Sequence, residues 1–112
     1  MKLGMIGLGR MGANMAQRLV RGGHKVIGFD PKPKPRKGIK SVDSLAALVA
    51  ALPAPRVLWL MVPAGKITDA TLTSLLPLLA AGDTVIDGGN SNYKDTQRRA
   101  TVFTNKKIHY VD

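Results

Sequence analysis

The chain of 112 residues contains no cysteine and no glutamate, and it is poor in aromatic residues. The absence of cysteine excludes a disulfide scaffold, a thiolate metal site and a cysteine nucleophile. No apolar stretch approaches the roughly 18–20 residues that a membrane-spanning helix requires. The residues after Met1 do not form a signal-peptide pattern. These features predict a cytoplasmic protein that does not enter a membrane.

Basic residues dominate the charge of this chain. The chain has 17 lysines and arginines but only seven acidic residues, all aspartates, which gives a formal net charge of +10 at pH 7. Such an excess indicates an anionic partner, and a nucleic acid, a phosphorylated metabolite and a dinucleotide all qualify. The basic residues are spread over predicted loops and helices without a platform of stacking rings, which disfavours a nucleic-acid binder.

Short apolar runs alternate with segments of helical periodicity, which predicts a single α/β domain over residues 1–112. Five strands are predicted, at Lys2–Gly7, Lys25–Phe29, Arg56–Val62, Thr84–Asp87 and Lys107–Val111. We expect them to form a doubly wound parallel sheet of order 3-2-1-4-5, with the last strand at a bare edge.

Helices are predicted between these strands. The first runs from Met11 to Val20 and ends at Gly22, and the second is capped by Ser41. A third helical stretch from residue 66 to 80 is interrupted at Pro77, and a fourth runs from residue 92 to about 103. Pro31–Lys40 contains three prolines at alternate positions and is predicted to be an extended basic loop.

The segment Gly7-Leu8-Gly9-Arg10-Met11-Gly12 has the form GxGxxG. In a dinucleotide site the first glycine permits a tight turn, the second lets the pyrophosphate approach, and the third allows close helix packing. The context also fits, because a strand precedes the motif, an amphipathic helix follows it, and the next strand ends in Asp30. We therefore expect a dinucleotide here, with its phosphates at the helix N-terminus and its ribose at Asp30.

Asp30 bears on the choice between NAD and NADP. A carboxylate repels a 2′-phosphate, so this residue favours NAD. Four basic residues follow it, and any of them could pair with a 2′-phosphate or form a solvated loop: Lys32, Lys34, Arg36 and Lys37. NADP therefore stays possible.

Two more loops follow strand ends and are expected to line the same crevice. Val62-Pro63-Ala64-Gly65 is predicted to form a wall near the cofactor, and Asn90 in the second loop is predicted to touch both nicotinamide and substrate. His24 and His109 are interpreted as structural, Trp59 as core, and Arg98 and Arg99 as part of a solvated basic face. No metal-ligand spacing or Ser-His-Asp set is present.

Three stretches together resemble decarboxylating 6-phosphogluconate dehydrogenase: residues 5–12 (MIGLGRMG), His24-Lys25-Val26 after Gly22-Gly23, and residues 87–99 (DGGNSNYKDTQRR). The resemblance runs over essentially the whole chain, as the N-terminal Rossmann domain of that family. The first motif also occurs in other β-hydroxyacid dehydrogenases, including 3-hydroxyisobutyrate dehydrogenase, whereas GGNS followed by Tyr-Lys-Asp-Thr is specific to the sugar-acid branch.

The resemblance implies oxidation and decarboxylation of 6-phosphogluconate to ribulose 5-phosphate with NAD(P). The sequence Asp30-Pro31-Lys32 resembles the NAD-preferring branch. By resemblance Asn90 binds the substrate, and the cofactor is bound by Gly7, Leu8, Gly9, Arg10, Met11, Gly12, Asp30, Val62, Pro63, Ala64 and Asn90.

The family's catalytic lysine and glutamate, and the helical domain that forms its homodimer, lie beyond these motifs. We therefore expect residues 1–112 to bind NAD, with NADP possible, but to contain no catalytic residue and to turn over little or no substrate. Two alternatives remain open. One is the cofactor domain of a 3-hydroxyisobutyrate-type dehydrogenase, and the other is a nucleotide-binding module without catalysis.

Overall fold

Strands and helices alternate along residues 1–32, 36–62, 65–88 and 93–111, which are the part of the chain that the computed structural model describes. The strands are β1 (Lys2–Ile6), β2 (Lys25–Phe29), β3 (Lys40–Ser41), β4 (Val57–Leu60), β5 (Thr84–Asp87) and β6 (His109–Val111). The helices are α1 (Arg10–Arg21), α2 (Leu45–Ala50), α3 (Lys66–Leu75) and α4 (Tyr93–Thr104). A short 3-10 turn at Leu76–Leu78 follows α3.

The strands form one parallel sheet in the order β3-β2-β1-β4-β5-β6. This arrangement confirms the predicted doubly wound α/β fold. The chain moves outward from β1 in one direction through β2 and β3, and in the other direction through β4, β5 and β6. The point where the direction changes lies between β1 and β4, and ligands of such sheets bind outside the carboxyl ends of the strands there.

The predicted assignment of strands to the order 3-2-1-4-5 is wrong in one respect. The strand expected third, Arg56–Val62, is β4 and pairs with β1 rather than with β2. The place beside β2 is taken by β3, a pair of residues at the end of the segment predicted as an extended loop. Two residues are too few to show a period, so the pattern could not indicate them. Numbered along the observed strands, the order does begin 3-2-1-4-5, and β6 is added at the edge.

The helix boundaries follow local chemistry. Gly22 ends α1 as predicted. The cap of α2 is Ser44 rather than Ser41, because the Ser44 hydroxyl accepts the Ala47 N–H at 3.0 Å while Ser41 lies in β3. Pro77 lies in the 3-10 turn that begins after α3 ends at Leu75, so the predicted interruption of that helix is confirmed.

Apolar side chains fill both faces of the sheet. On one face α1 packs through Ala16, Met15 and Leu19 against Leu3 and Met5 of β1. On the other face the buried cluster draws on α2, α3 and α4, and its members include Leu48, Leu72, Phe103, Leu58 and Val85. No helix among the described residues combines the length and apolar character needed to cross a membrane.

Candidate functional site

The turn between β1 and α1 can be formed only by glycine at two of its positions. Gly7 has a φ of +98°, its N–H donates to the Phe29 carbonyl at 2.8 Å, and a Cβ there would lie 2.5 Å from the carbonyl oxygen of Met61. A Cβ at Gly12 would collide with the Gly7 carbonyl. The first and third glycines of the motif therefore fix the turn and bring α1 close to the sheet, as predicted.

Gly9, by contrast, is not required by contacts within the fold. A Cβ at this position would meet nothing within 4 Å, so the space beside the backbone is open. Gly9 is also the N-cap of α1, and as a glycine it has no side chain with which to cap this end of the helix. The first N–H groups of a helix lack partners within it, and the helix dipole adds partial positive charge there. This end of α1 can therefore receive a phosphate group at close range.

Arg10 and Met11 occupy the first turn of α1 on the outside of the molecule. Both side chains are exposed, Met11 by 71%. Leu8 behaves differently, because its side chain is 1% exposed and lies against Gly28 of β2. Of Leu8, therefore, only the peptide groups face the crevice.

Asp30 and Arg36 hold those peptide groups from two sides. The Leu8 N–H donates to Asp30 Oδ2 at 2.8 Å, and the Lys32 N–H donates to Oδ1 at 2.9 Å. The Arg36 guanidinium donates to the Leu8 carbonyl through Nε at 3.2 Å and Nη2 at 3.0 Å. The structure thus brings the acidic residue predicted at the end of β2, and one of the four basic residues after it, to the glycine turn.

The loop after β4 reaches the same turn. Val62 lies next to Gly7, whose built Cβ would be 3.2 Å from Val62 Cγ1. The other predicted site residues of the two crevice loops, Pro63, Ala64 and Asn90, lie outside the described residues, as does Lys34. Their roles stay predictions.

Arg99 was predicted to be part of a solvated basic face, and this is wrong. Its side chain is 3% exposed, its Nε donates to Asp69 Oδ1 at 2.9 Å, and its Nη1 lies 3.8 Å from Asp87 Oδ2. The Tyr110 hydroxyl donates to the same Asp87 oxygen at 2.6 Å. Arg98, by contrast, is 57% exposed, as expected. Arg99 precedes the buried Phe103 by four residues, so helical spacing was a signal that could have placed it inside.

This cluster changes the ionisation of its members. The hydrogen bond from Arg99 holds the pKa of Asp69 below its ordinary value, although desolvation opposes it. Burial disfavours the charged form of Arg99, yet the hydrogen bond to Asp69 brings the net shift of its pKa upward. Burial raises the pKa of the Tyr110 phenol, and its bond to Asp87 raises it further. Arg99 therefore remains a cation and Asp69 an anion.

The remaining candidates lie away from the crevice or do not form a site. His24 precedes β2, at the end of the strand opposite the glycine turn, and His109 is an exposed residue of β6. Trp59 is partly buried and packs against the cluster beneath α1. Among the described residues no group of three histidine or acidic side chains could hold a metal ion.

Comparison with protein families agrees with this geometry. The family model for the NAD binding domain of 6-phosphogluconate dehydrogenase matches residues 2–112. The chain spans about two fifths or less of the curated relatives it matches, with 39%, 35% and 25% for three of them.

Individual relatives point the same way. The chain is 45% identical over 105 residues to the NAD(+)-dependent decarboxylating 6-phosphogluconate dehydrogenase of Haloferax volcanii, a match that covers 89% of this chain and 35% of the relative. A solved 6-phosphogluconate dehydrogenase of Plasmodium falciparum has the same fold, with a TM-score of 0.87 at 24% identity, over 98% of this chain and 26% of that one. The 3-hydroxyisobutyrate dehydrogenase of Mycobacterium tuberculosis gives a TM-score of 0.86 at 27% identity, over 97% and 38% of the two chains.

Proposed function

Because this chain belongs to the family of NAD-binding domains of 6-phosphogluconate dehydrogenase, we propose that it binds the nicotinamide cofactor for the oxidation and decarboxylation of 6-phosphogluconate. The observation that carries the proposal is the open backbone at Gly9 beside the Asp30 carboxylate. A pyrophosphate needs the open backbone, and an adenosine ribose needs the carboxylate.

The residues of the glycine turn fit this cofactor. Gly9 and the first turn of α1 would take the pyrophosphate, and the ribose hydroxyls would donate to Asp30. A carboxylate can accept about four hydrogen bonds, and on Asp30 two of them, from the Leu8 and Lys32 N–H groups, orient the side chain at the end of β2. Once bound, the nicotinamide supplies a hydride acceptor, and the chain supplies binding and orientation.

We propose that the preferred cofactor is NAD. Asp30 would repel a 2′-phosphate, and its two backbone hydrogen bonds hold it at the end of β2. Arg36 lies on the same turn through its bonds to the Leu8 carbonyl, and a guanidinium there favours a phosphate. Arg36 would therefore preserve part of the affinity for NADP.

The rest of the reaction belongs to parts of the site that these residues do not supply. We propose that Asn90 meets both nicotinamide and substrate, and that the general base, the general acid and the dimer interface lie beyond the part of the family that residues 1–112 represent. On this proposal the 112-residue chain binds cofactor and does not turn over 6-phosphogluconate.

Cofactor preference is tested by calorimetric titration of the chain with NAD and NADP at one ionic strength. We expect NAD to bind at least about tenfold more tightly, which corresponds to about 1.4 kcal/mol. The variant Arg36→Gln should weaken NADP more than NAD. Arg21→Gln is a matched control, because it removes the same charge at the far end of α1. Tighter binding of NADP by the unaltered chain would contradict the role given to Asp30.

The reaction itself is tested with the longest natural polypeptide that carries these residues. We expect NADH and carbon dioxide to form from 6-phosphogluconate. The likeness to 3-hydroxyisobutyrate dehydrogenase makes that enzyme's reaction the second candidate. Reduction of NAD by 3-hydroxyisobutyrate but not by 6-phosphogluconate would select the second candidate over the first.

A further inference from the structure

Arg99 connects two elements that begin or end at the proposed cofactor crevice. Through Asp69 it reaches the first turn of α3, where the Asp69 N–H donates to the Gly65 carbonyl at 3.0 Å. Through Asp87 it reaches the last residue of β5, directly before Gly88. One guanidinium thus contacts both the first turn of α3, the helix that follows β4, and the last residue of β5.

The Asp87 end of this link is itself held in place. Tyr110 of β6 donates to Asp87 Oδ2, and the Tyr110 ring stacks on Phe103 of α4 with centroids 5.5 Å apart. The Gly88 N–H donates to the Leu60 carbonyl at 2.8 Å, which ties the start of the next loop to β4. The end of β5 is therefore fixed from β4, β6 and α4 together.

A contribution to stability does not by itself explain why the side chain of Arg99 is buried. A buried ion pair often contributes no more than apolar residues of the same volume, because desolvating the charges offsets their attraction. Here one partner, Asp69, is 40% exposed, so solvent also weakens that attraction. What a guanidinium offers beyond charge is a planar fork of donors with fixed directions. In Arg99 one donor of this fork makes a directed hydrogen bond to Asp69, while another lies 3.8 Å from Asp87 as an ion pair on a different element.

The position of the Arg99 ion pairs indicates which half of the cofactor they would affect. Asp30, at the end of β2, marks the adenosine side of the crevice, and a dinucleotide crosses the point where the strand order reverses. The nicotinamide half then lies over the ends of β4 and β5. Arg99 joins the end of β5 to the first turn of α3, the helix that follows β4.

We propose that Arg99 is a positioning residue that sets the spacing between the first turn of α3 and the end of β5, and thereby the affinity for the nicotinamide half of the cofactor. This inference rests on the proposed function and goes beyond it. Arg99 acts through Asp69 and Asp87 and does not itself touch the cofactor. Its loss should therefore weaken ligands that contain nicotinamide and spare those that end at the ribose.

The test compares two ligands on the full chain, NADH and ADP-ribose, the second of which lacks the nicotinamide ring. Arg99→Lys keeps the charge and removes the fork, and we expect it to weaken NADH about tenfold while ADP-ribose binding changes by less than about twofold. Arg98→Lys is the matched control, because Arg98 also contacts Asp69 but is exposed. We expect it to change neither affinity.

Asp69→Asn provides a second variant that puts less of the fold at risk, since Asp69 is partly exposed. We expect the same selective loss, of about threefold. An equal loss of NADH and ADP-ribose affinity in these variants would reduce Arg99 to a structural residue and overturn the inference. Unchanged NADH binding in Arg99→Lys would overturn it as well. If the unaltered chain binds neither ligand, the proposed function fails first, and the inference fails with it.

Discussion

Gly9 and Gly12 lie three residues apart and should respond in opposite ways to the same added methyl group. At Gly9 the backbone has φ −64° and ψ −172°, which alanine adopts freely, and the built Cβ meets nothing within 4 Å. At Gly12 the built Cβ meets the Gly7 carbonyl at a distance that real Cβ atoms do not reach. Gly9→Ala should therefore affect the ligand, and Gly12→Ala should affect the fold.

The magnitudes follow from these contacts. Alanine is a poorer N-cap than glycine, which lowers the free energy of unfolding by roughly 0.5–1 kcal/mol. Alanine also reduces the conformational entropy of the unfolded chain, which raises the free energy of unfolding by about 0.4–1 kcal/mol. The free energy of unfolding of Gly9→Ala should thus stay within about 1 kcal/mol. Gly12→Ala must push α1 away from β1, an overpacking that costs about 1–3 kcal/mol or more.

Binding should show the reverse pattern. A methyl group at Gly9 occupies the space through which the pyrophosphate reaches the first turn of α1. Each charge-assisted hydrogen bond lost there costs about 1.5–3 kcal/mol. The loss of two such bonds predicts that NADH binds Gly9→Ala at least about 100-fold more weakly.

Urea unfolding and NADH titration of the two variants measure both effects. A Gly9→Ala chain that binds NADH within about threefold of the unaltered chain would show that the pyrophosphate does not cross this residue. A Gly12→Ala chain as stable as the unaltered one would contradict the close contact between α1 and the glycine turn.

Two further predictions concern stability. Asp83 is fully buried and accepts hydrogen bonds from the backbone N–H groups of Arg56 and Ala80 and from the Arg56 guanidinium. Asp83→Ala should therefore lower the free energy of urea unfolding by about 3–5 kcal/mol. A loss under about 1 kcal/mol would contradict this. The pKa of Tyr110 is raised from the ordinary 10.0, so the unfolded chain ionises first as the pH rises. Above about pH 10 the unaltered chain should lose up to about 1.4 kcal/mol per pH unit relative to Tyr110→Phe, as followed by chemical unfolding, whereas a constant difference would contradict the raised pKa.

The glycine turn was predictable because each of its requirements is local. The positive φ of Gly7 and the close contact at Gly12 arise within a single strand–turn–helix unit. The spacing to Asp30 is equally local, since it is the length of one helix and one strand. Short-range rules therefore sufficed for this half of the site and for the fold class.

Other features depend on contacts between distant segments. β3 forms because Lys40 and Ser41 meet β2, and no period in the sequence indicates so short a strand. Arg36 reaches the Leu8 carbonyl across a proline-rich segment whose path no local rule specifies. The burial of Arg99 depends on partners 30 and 12 residues away, Asp69 and Asp87, although its helical spacing to Phe103 was a usable signal.

A titration of the isotopically labelled chain with NADH, followed by NMR through its amide resonances, tests most directly whether the glycine turn binds a dinucleotide. The chain has 112 residues, so individual amides can be followed. We predict saturable shifts centred on Gly9, Arg10 and Lys32. We expect little change at Lys25, the first residue of β2, or at Gly82, which lies just before β5, because both are at the edge of the sheet opposite the glycine turn. Saturable shifts centred away from the glycine turn, or no shifts with a folded spectrum, would contradict a cofactor site at this turn.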